Sequence, residues 1–312
     1  MSWRQGYRGR RVLVLGAGGF IGQRVALRLA ELGAELHAGV RHAATRRALP
    51  GRLVEADLGQ PGTAAAAIAK LRPSITFNLA GYGIDPGERD TGQARRINQD
   101  LVVELIEACA NHSDLVWPGQ QLVHVGSAAE YGAAGGDLSE ATEPVPTTLY
   151  GRTKLAGTQA LSRATSAGAL RGLTARLFTV YGPGEAAGRL LPTLVAAAGA
   201  DAAIPLTEGS QRRDFTYVED VVEGLLRLGM VANPEPGAVN LATGKLTTVR
   251  AFVECAARVL GISADRLRFG ALPTRPSEMS HDPVSIGRLR SLCRWVPPTL
   301  PEEGVRRAVE AN

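Results

Sequence analysis

Lysine is nearly absent from this chain. Only Lys70, Lys154 and Lys245 stand among 35 basic residues in 312, so arginine sets the net charge of +5. No segment is a dense basic tract. A nucleic-acid binder gathers such charge on one face, so no nucleic-acid partner is expected. Cysteine is equally scarce, and Cys109, Cys255 and Cys293 are odd in number and far apart. That spacing excludes a disulfide framework and a CxxC metal site. The five histidines form no HxH or HExxH pair, so a metal enzyme is not expected. No run of about eighteen apolar residues occurs, so no membrane span is expected. The basic stretch at Arg8–Arg11 before Val12–Leu15 imitates a leader, but the apolar run breaks into glycines with no small-residue cleavage site. A cytoplasmic protein is the default.

What is present suits a globular α/β protein. A hydrophobic fraction of 45% supports a full core, and the length fits one large domain or two smaller ones. Strand-like runs occur at Val12–Leu15, Glu35–Val40, Ser74–Leu79, Gln121–Val125 and Leu173–Phe178, with helical patterns between them. Ile21–Leu32 has apolar residues at helical spacing and is closed by Gly33. Asn98–Ala110 and Thr148–Thr165 carry the next clearest helical patterns. Strands that alternate with helices predict a doubly wound parallel sheet, because each parallel return needs a crossover. After Tyr181-Gly182-Pro183-Gly184 the texture changes to short pieces broken by Pro192, Pro205, Pro234, Pro236, Pro273, Pro276 and Pro297-Pro298. The expected division is a sheet domain over 1–180 plus about 214–245, and a smaller lobe over about 181–213 and 246–312.

The first strand runs into Gly16-Ala17-Gly18-Gly19-Phe20-Ile21-Gly22 and then a helix. Glycines at 16, 19 and 22 let the backbone turn tightly and approach a pyrophosphate lying at the helix N-terminus, the Rossmann arrangement. NAD-binding folds commonly end the second strand in an acid that takes the ribose 2′-hydroxyl. Here it ends Val40-Arg41-His42, with Arg46 and Arg47 close behind. Arg41 suits a 2′-phosphate, which favours NADP(H) and leaves NAD(H) as the alternative. Asp57 and Leu58 are placed to meet the adenine.

Tyr150 and Lys154 stand four apart on one helix face. A tyrosine of pKa about 10 is a poor base near neutrality. A neighbouring ammonium lowers that value, and Tyr150 would then exchange a proton with a substrate alcohol or carbonyl. Ser127, just past the strand Gln121–Val125, is placed to hold the same oxygen. The plainer reading is a surface pair at helical spacing.

Together these residues resemble the extended short-chain dehydrogenase/reductases that modify nucleotide sugars. The likeness runs through Gly16–Gly22, Asp57-Leu58, Asn78-Leu79-Ala80-Gly81, Asn98, Ser127–Gly132, Tyr150–Lys154, Arg176–Gly184, Arg213–Asp220 and Asn240. It implies a catalytic set of Ser127, Tyr150 and Lys154. It also implies cofactor contacts at the glycine loop, including Phe20 and Ile21, and at Asp57, Leu79, Ala80, Gly81, Asn98, Phe178 and Val180. A nucleotide-diphosphate sugar would lie near Ser127, Ala128, Ala129 and Thr179, its diphosphate gripped by Arg213 and Arg275. The family usually forms homodimers through two helices per subunit, here Asn98–Ala110 and Thr148–Thr165, although core packing explains an apolar face equally well. Two departures narrow the reaction. Dehydratases of this family carry an acidic pair where this chain has Ala128 and Ala129, and Thr179 replaces an asparagine. Ser127–Gly132 and Arg275-Pro276-Ser277-Glu278 look more like reductases of nucleotide 4-keto-6-deoxysugars. The resemblance thus implies an NADPH-dependent ketoreductase, with an NAD-dependent 4-epimerase and a catalytically silent regulator as the other readings.

Overall fold

A computed structural model describes residues 3–42, 48–84, 87–112, 114, 116–274, 280 and 282–311. In chain order the strands are β1 (Arg11–Leu15), β2 (Glu35–Val40), β3 (Arg52–Glu55), β4 (Ile75–Asn78), β5 (Leu122–Ser127), β6 (Gly172–Leu177), β7 (Thr179–Tyr181), β8 (Ile204–Pro205), β9 (Arg212–Tyr217), β10 (Ala238–Leu241), β11 (Leu246–Thr248) and β12 (Leu267–Arg268). The helices are α1 (Trp3–Gly6), α2 (Phe20–Glu31), α3 (Thr63–Leu71), α4 (Thr91–Arg95), α5 (Leu101–Asn111), α6 (Leu149–Ser166), α7 (Leu190–Ala198), α8 (Val218–Gly229), α9 (Val249–Leu260), α10 (Gly287–Cys293) and α11 (Pro301–Glu310).

Seven strands form one parallel sheet in the order β10-β6-β5-β4-β1-β2-β3. Alternation along β1 shows why helices must cover both faces. Val12 and Val14 meet Val25 and Leu29 of α2 and Val221 and Leu225 of α8. Leu13 and Leu15 point the other way, toward Ile68 of α3, Leu101 and Leu105 of α5 and Leu161 of α6. Chain order reverses between β1 and β4, and the crevice beyond their carboxyl ends is where such sheets bind ligands.

A second, three-stranded sheet has β7 parallel to β9 and β11 antiparallel to it. Its core centres on Phe215 and Phe252, stacked at 4.1 Å, with Tyr181 edge-on to Phe252 at 5.0 Å. Leu289 of α10 and the nearby Trp295 pack into the core of the large sheet, and α8 covers that sheet immediately after β9.

Pro192 does not interrupt a helix. It sits in the first turn of α7, where a missing N–H costs no hydrogen bond. The pattern at Asn98–Ala110 is likewise two elements, a π-helical turn over Arg96–Asp100 followed by α5. Among the described residues no helix is long and apolar enough to cross a membrane.

Candidate active site

Gly16 leaves β1 with φ of 76°, a left-handed conformation that side chains resist. Gly22, in the first turn of α2, lies against it, and a Cβ there would stand 2.1 Å from the Gly16 carbonyl oxygen. Gly19 is the N-cap of α2 and supplies no side-chain cap, so the first amides of the helix stay free of side-chain acceptors. A Cβ on Gly19 would meet only Gly16 O, at 3.3 Å, so packing alone does not demand glycine there. An open, uncapped, glycine-lined helix start fits the pyrophosphate of a dinucleotide. Phe20 and Ile21 open the helix, half-buried, while Leu79, Ala80 and Gly81 follow β4 across the crevice. At the far end of the loop, Arg41 is exposed at the tip of β2, its Nε 3.8 Å from Asp57 Oδ1. The Asp57 carboxylate also accepts the Gly59 N–H at 3.1 Å, and Leu58 turns toward the core behind it. Arg46 and Arg47 lie outside the described residues.

Ser127, Tyr150 and Lys154 converge at the carboxyl end of β5. Ser127 is its last residue, and Thr148 caps α6 by accepting the Gly151 N–H at 3.0 Å. The cap starts the helix with Tyr150 in the first turn and Lys154 one turn further on. Lys154 is 2% exposed, and Nζ donates to the carbonyl oxygens of Ala80 at 3.1 Å and Val125 at 3.0 Å. Burial pushes the ammonium down to about 8, against the favourable charge of Glu130. His124, behind it in β5, is held neutral by burial and by Lys154, and Nδ1 lies 3.1 Å from Asn78 Nδ2.

One expectation is corrected here. The phenol of Tyr150 is not lowered in the free protein but raised well above its ordinary value. Burial dominates, and the neighbouring Ser127 hydroxyl and the charge of Arg189 only partly offset burial, Glu130 and Glu88. The Lys154 ammonium is engaged by two backbone carbonyls instead. The arrangement therefore presents a phenol held protonated by burial, with a buried cation one turn away. Chemically it can donate a proton to an oxygen placed beside Ser127.

Asn98 is buried in the π-helical turn. Its Oδ1 accepts the Tyr82 N–H at 3.1 Å, and Nδ2 donates to Tyr82 O at 2.8 Å and Thr153 Oγ1 at 3.0 Å. The carboxamide thus ties the loop after β4 to α6, three residues from Tyr150. Ala128 and Ala129 form a buried 3₁₀ turn after Ser127. Phe178, Thr179 and Val180 line the strand change from β6 to β7, half-buried, and Arg213 lies in β9 opposite Thr247. Arg275 and Glu278 lie outside the described residues. Glu130 and Arg176 entered the sequence reading only as members of motifs, with no role given, and Thr158 not at all; all three stand directly behind Ser127. An acid three residues past a serine reads as a local cap, and Arg176 is too far along the chain for spacing to link them.

The family model for the NAD-dependent epimerase/dehydratase family matches residues 12–242. The dTDP-6-deoxy-L-talose 4-dehydrogenase (NAD(P)(+)) of Kitasatospora kifunensis is 31% identical over 95% of this chain and 93% of its own. The dTDP-L-rhamnose 4-epimerase of Burkholderia thailandensis is 26% identical over 95% of this chain and 93% of its own. Among solved structures, MoeE5 in complex with UDP-glucose and NAD superposes with a TM-score of 0.82 at 27% identity, covering 96% of this chain and 97% of that one. The chain belongs to the NAD-dependent epimerase/dehydratase family and is an NAD(P)-dependent enzyme of the extended short-chain dehydrogenase/reductase type.

Proposed function

We propose that the protein is an NADPH-dependent reductase of a nucleotide-linked 4-keto-6-deoxysugar. The observation that carries this reading is Tyr150 in the first turn of α6, with Ser127 ending β5 and Lys154 buried one turn beyond, and the phenol held protonated by burial. A nicotinamide held in the cleft would supply the hydride that the keto carbon takes. Tyr150 gives its proton to the carbonyl oxygen and is left as a phenolate, Ser127 orients that oxygen, and the buried Lys154 ammonium offsets the phenolate charge until solvent returns the proton. Two alanines stand at 128 and 129, where elimination of water would need an acid and a base, and both are buried. The similarity to a 4-dehydrogenase over nearly the full length supports redox chemistry at that sugar carbon.

The glycine loop, Leu79–Gly81, Asn98, Phe178 and Val180 form the cofactor cleft in this reading, with Arg41, Asp57 and Leu58 at its adenosine end. Arg41 takes the 2′-phosphate and sets the preference for NADPH. The lobe of 181–213 and 246–312 holds the nucleotide diphosphate through Arg213 and Arg275, with Thr179 and Glu278 near the sugar. Two copies pair through α5 and α6, where Val103 is 41% exposed.

The second reading is a 4-epimerase, favoured by the full-length likeness to dTDP-L-rhamnose 4-epimerase. Mixing the protein with NADPH and a nucleotide 4-keto-6-deoxysugar separates the two. A reductase bleaches the nicotinamide absorbance in proportion to sugar reduced. An epimerase leaves it unchanged and interconverts hydroxylated nucleotide sugars without added reductant.

A further inference from the structure

Behind the three site residues lies an ion pair that the proposed reaction does not itself use. Glu130 is fully buried. Its Oε1 accepts the Ser127 backbone N–H at 2.8 Å and the Thr158 hydroxyl at 3.1 Å, and its Oε2 accepts Arg176 Nε–H at 2.8 Å. One carboxylate thus joins the end of β5, helix α6 one turn beyond Lys154, and strand β6. Arg176 in turn lies 4.6 Å over the Tyr131 ring, whose hydroxyl is 2.8 Å from Asn240 Oδ1. Space is reserved for the group as well. A Cβ on Gly126 would stand 2.5 Å from Glu130 Oε1, so the glycine before Ser127 leaves room for the carboxylate to fold back.

Stability does not explain this expense. A buried ion pair loses more in desolvation than it commonly regains, and apolar residues of like volume serve a core at least as well. We propose that Glu130 is a positioning residue, which fixes Ser127 and the Tyr150–Lys154 helix in register and sets the electrostatic field in which that pair works. The proposal rests on the assignment of Ser127, Tyr150 and Lys154 as the reacting set.

The charged groups facing the pair are few among the described residues. Lys154 faces Glu130 and, from β5, the neutral His124. Tyr150 faces Glu130, Glu88 of the loop after β4, and Arg189 at the start of α7. Glu130 favours the charged lysine and disfavours the phenolate. Its negative charge therefore keeps both groups protonated to higher pH, and removing it moves both titrations downward.

The test is Glu130→Gln, which keeps an acceptor for the Ser127 N–H and removes the charge. The alkaline limb of kcat/KM should move down by roughly one pH unit, with a fall of roughly twofold near pH 7 that approaches about tenfold above the wild-type limb. Because the single variant strands the Arg176 cation, Glu130→Gln/Arg176→Met is measured beside it and should show the same displaced limb. Thr158→Val, a mild change, cuts only the tie to α6 and should lower kcat severalfold while leaving KM and the limb in place. A lowered rate with the limb at its wild-type position in the Glu130 variants overturns the electrostatic role. Wild-type kcat in Thr158→Val overturns the positioning role. Tyr150→Phe, assayed in parallel, tells a failure of this proposal from a failure of the catalytic assignment, since only the latter leaves that variant active.

Discussion

Gly151 lies so close to Ala129 that a Cβ on the glycine would stand 2.2 Å from the alanine carbonyl oxygen. The contact seats the first turn of α6 directly on the 3₁₀ turn that follows Ser127, and so brings Tyr150 beside that serine. Gly151→Ala should push the helix outward, leaving cofactor affinity nearly unchanged. Misplacement of the phenol by about an ångström should cut turnover by roughly a hundredfold. Turnover within twofold of wild type would show that the close seating has no bearing on the reaction.

Tyr150→Phe removes the acid while preserving the ring. NADPH binding should stay near wild type and turnover should fall by roughly two to four orders of magnitude, the scale of a lost proton donor. Steady-state kinetics and cofactor titration check both halves. Retention of more than about a tenth of the activity would move the role to another group.

Arg41 and Asp57 meet at 3.8 Å at the adenosine end of the crevice. The guanidinium is well exposed, so turning to a 2′-phosphate costs it little. NADPH should bind more tightly than NADH, and Arg41→Ala should erase most of that difference. Equal affinities in the wild-type protein would rule out the assignment.

Much of this was legible in the sequence, for identifiable reasons. The glycine loop, the sheet strands and the Tyr150–Lys154 spacing are local patterns, and local periodicity finds them. Strand β3, Arg52-Leu53-Val54-Glu55, is legible only as an unbounded run before Asp57, because it is a short edge strand with two apolar residues. The raised Tyr150 phenol escaped because helical spacing places Lys154 nearby but does not show its Nζ bonded to Ala80 and Val125. The Glu130–Arg176 pair joins residues 46 positions apart, and only the parallel pairing of β5 with β6 brings them together.

Glu185, between β7 and α7, offers a test of burial through pH. One carboxylate oxygen is 3.5 Å from Arg189 Nε, the other is buried without a hydrogen-bond partner, and burial pushes the group up to about 7. The folded chain therefore binds this proton more tightly than the unfolded chain, whose value is about 4.3. Its contribution is fully present below the unfolded value and is lost as pH rises through 7. Glu185→Gln stays neutral throughout, so its Tm relative to wild type should rise between pH 5 and pH 8. A Tm difference that stays constant over that interval contradicts the raised value.

The reductase assignment is tested most directly by following the hydride itself. NADPH carrying deuterium at the transferable C4 position is mixed with the protein and a nucleotide 4-keto-6-deoxysugar, and the sugar product is examined by mass spectrometry and NMR. The account predicts one deuterium at the sugar C4, with one oxidised cofactor released per product. A hydroxylated nucleotide sugar converted to its C4 epimer, with no deuterium gained from added cofactor and no net oxidation, would contradict it and assign the site to epimerisation.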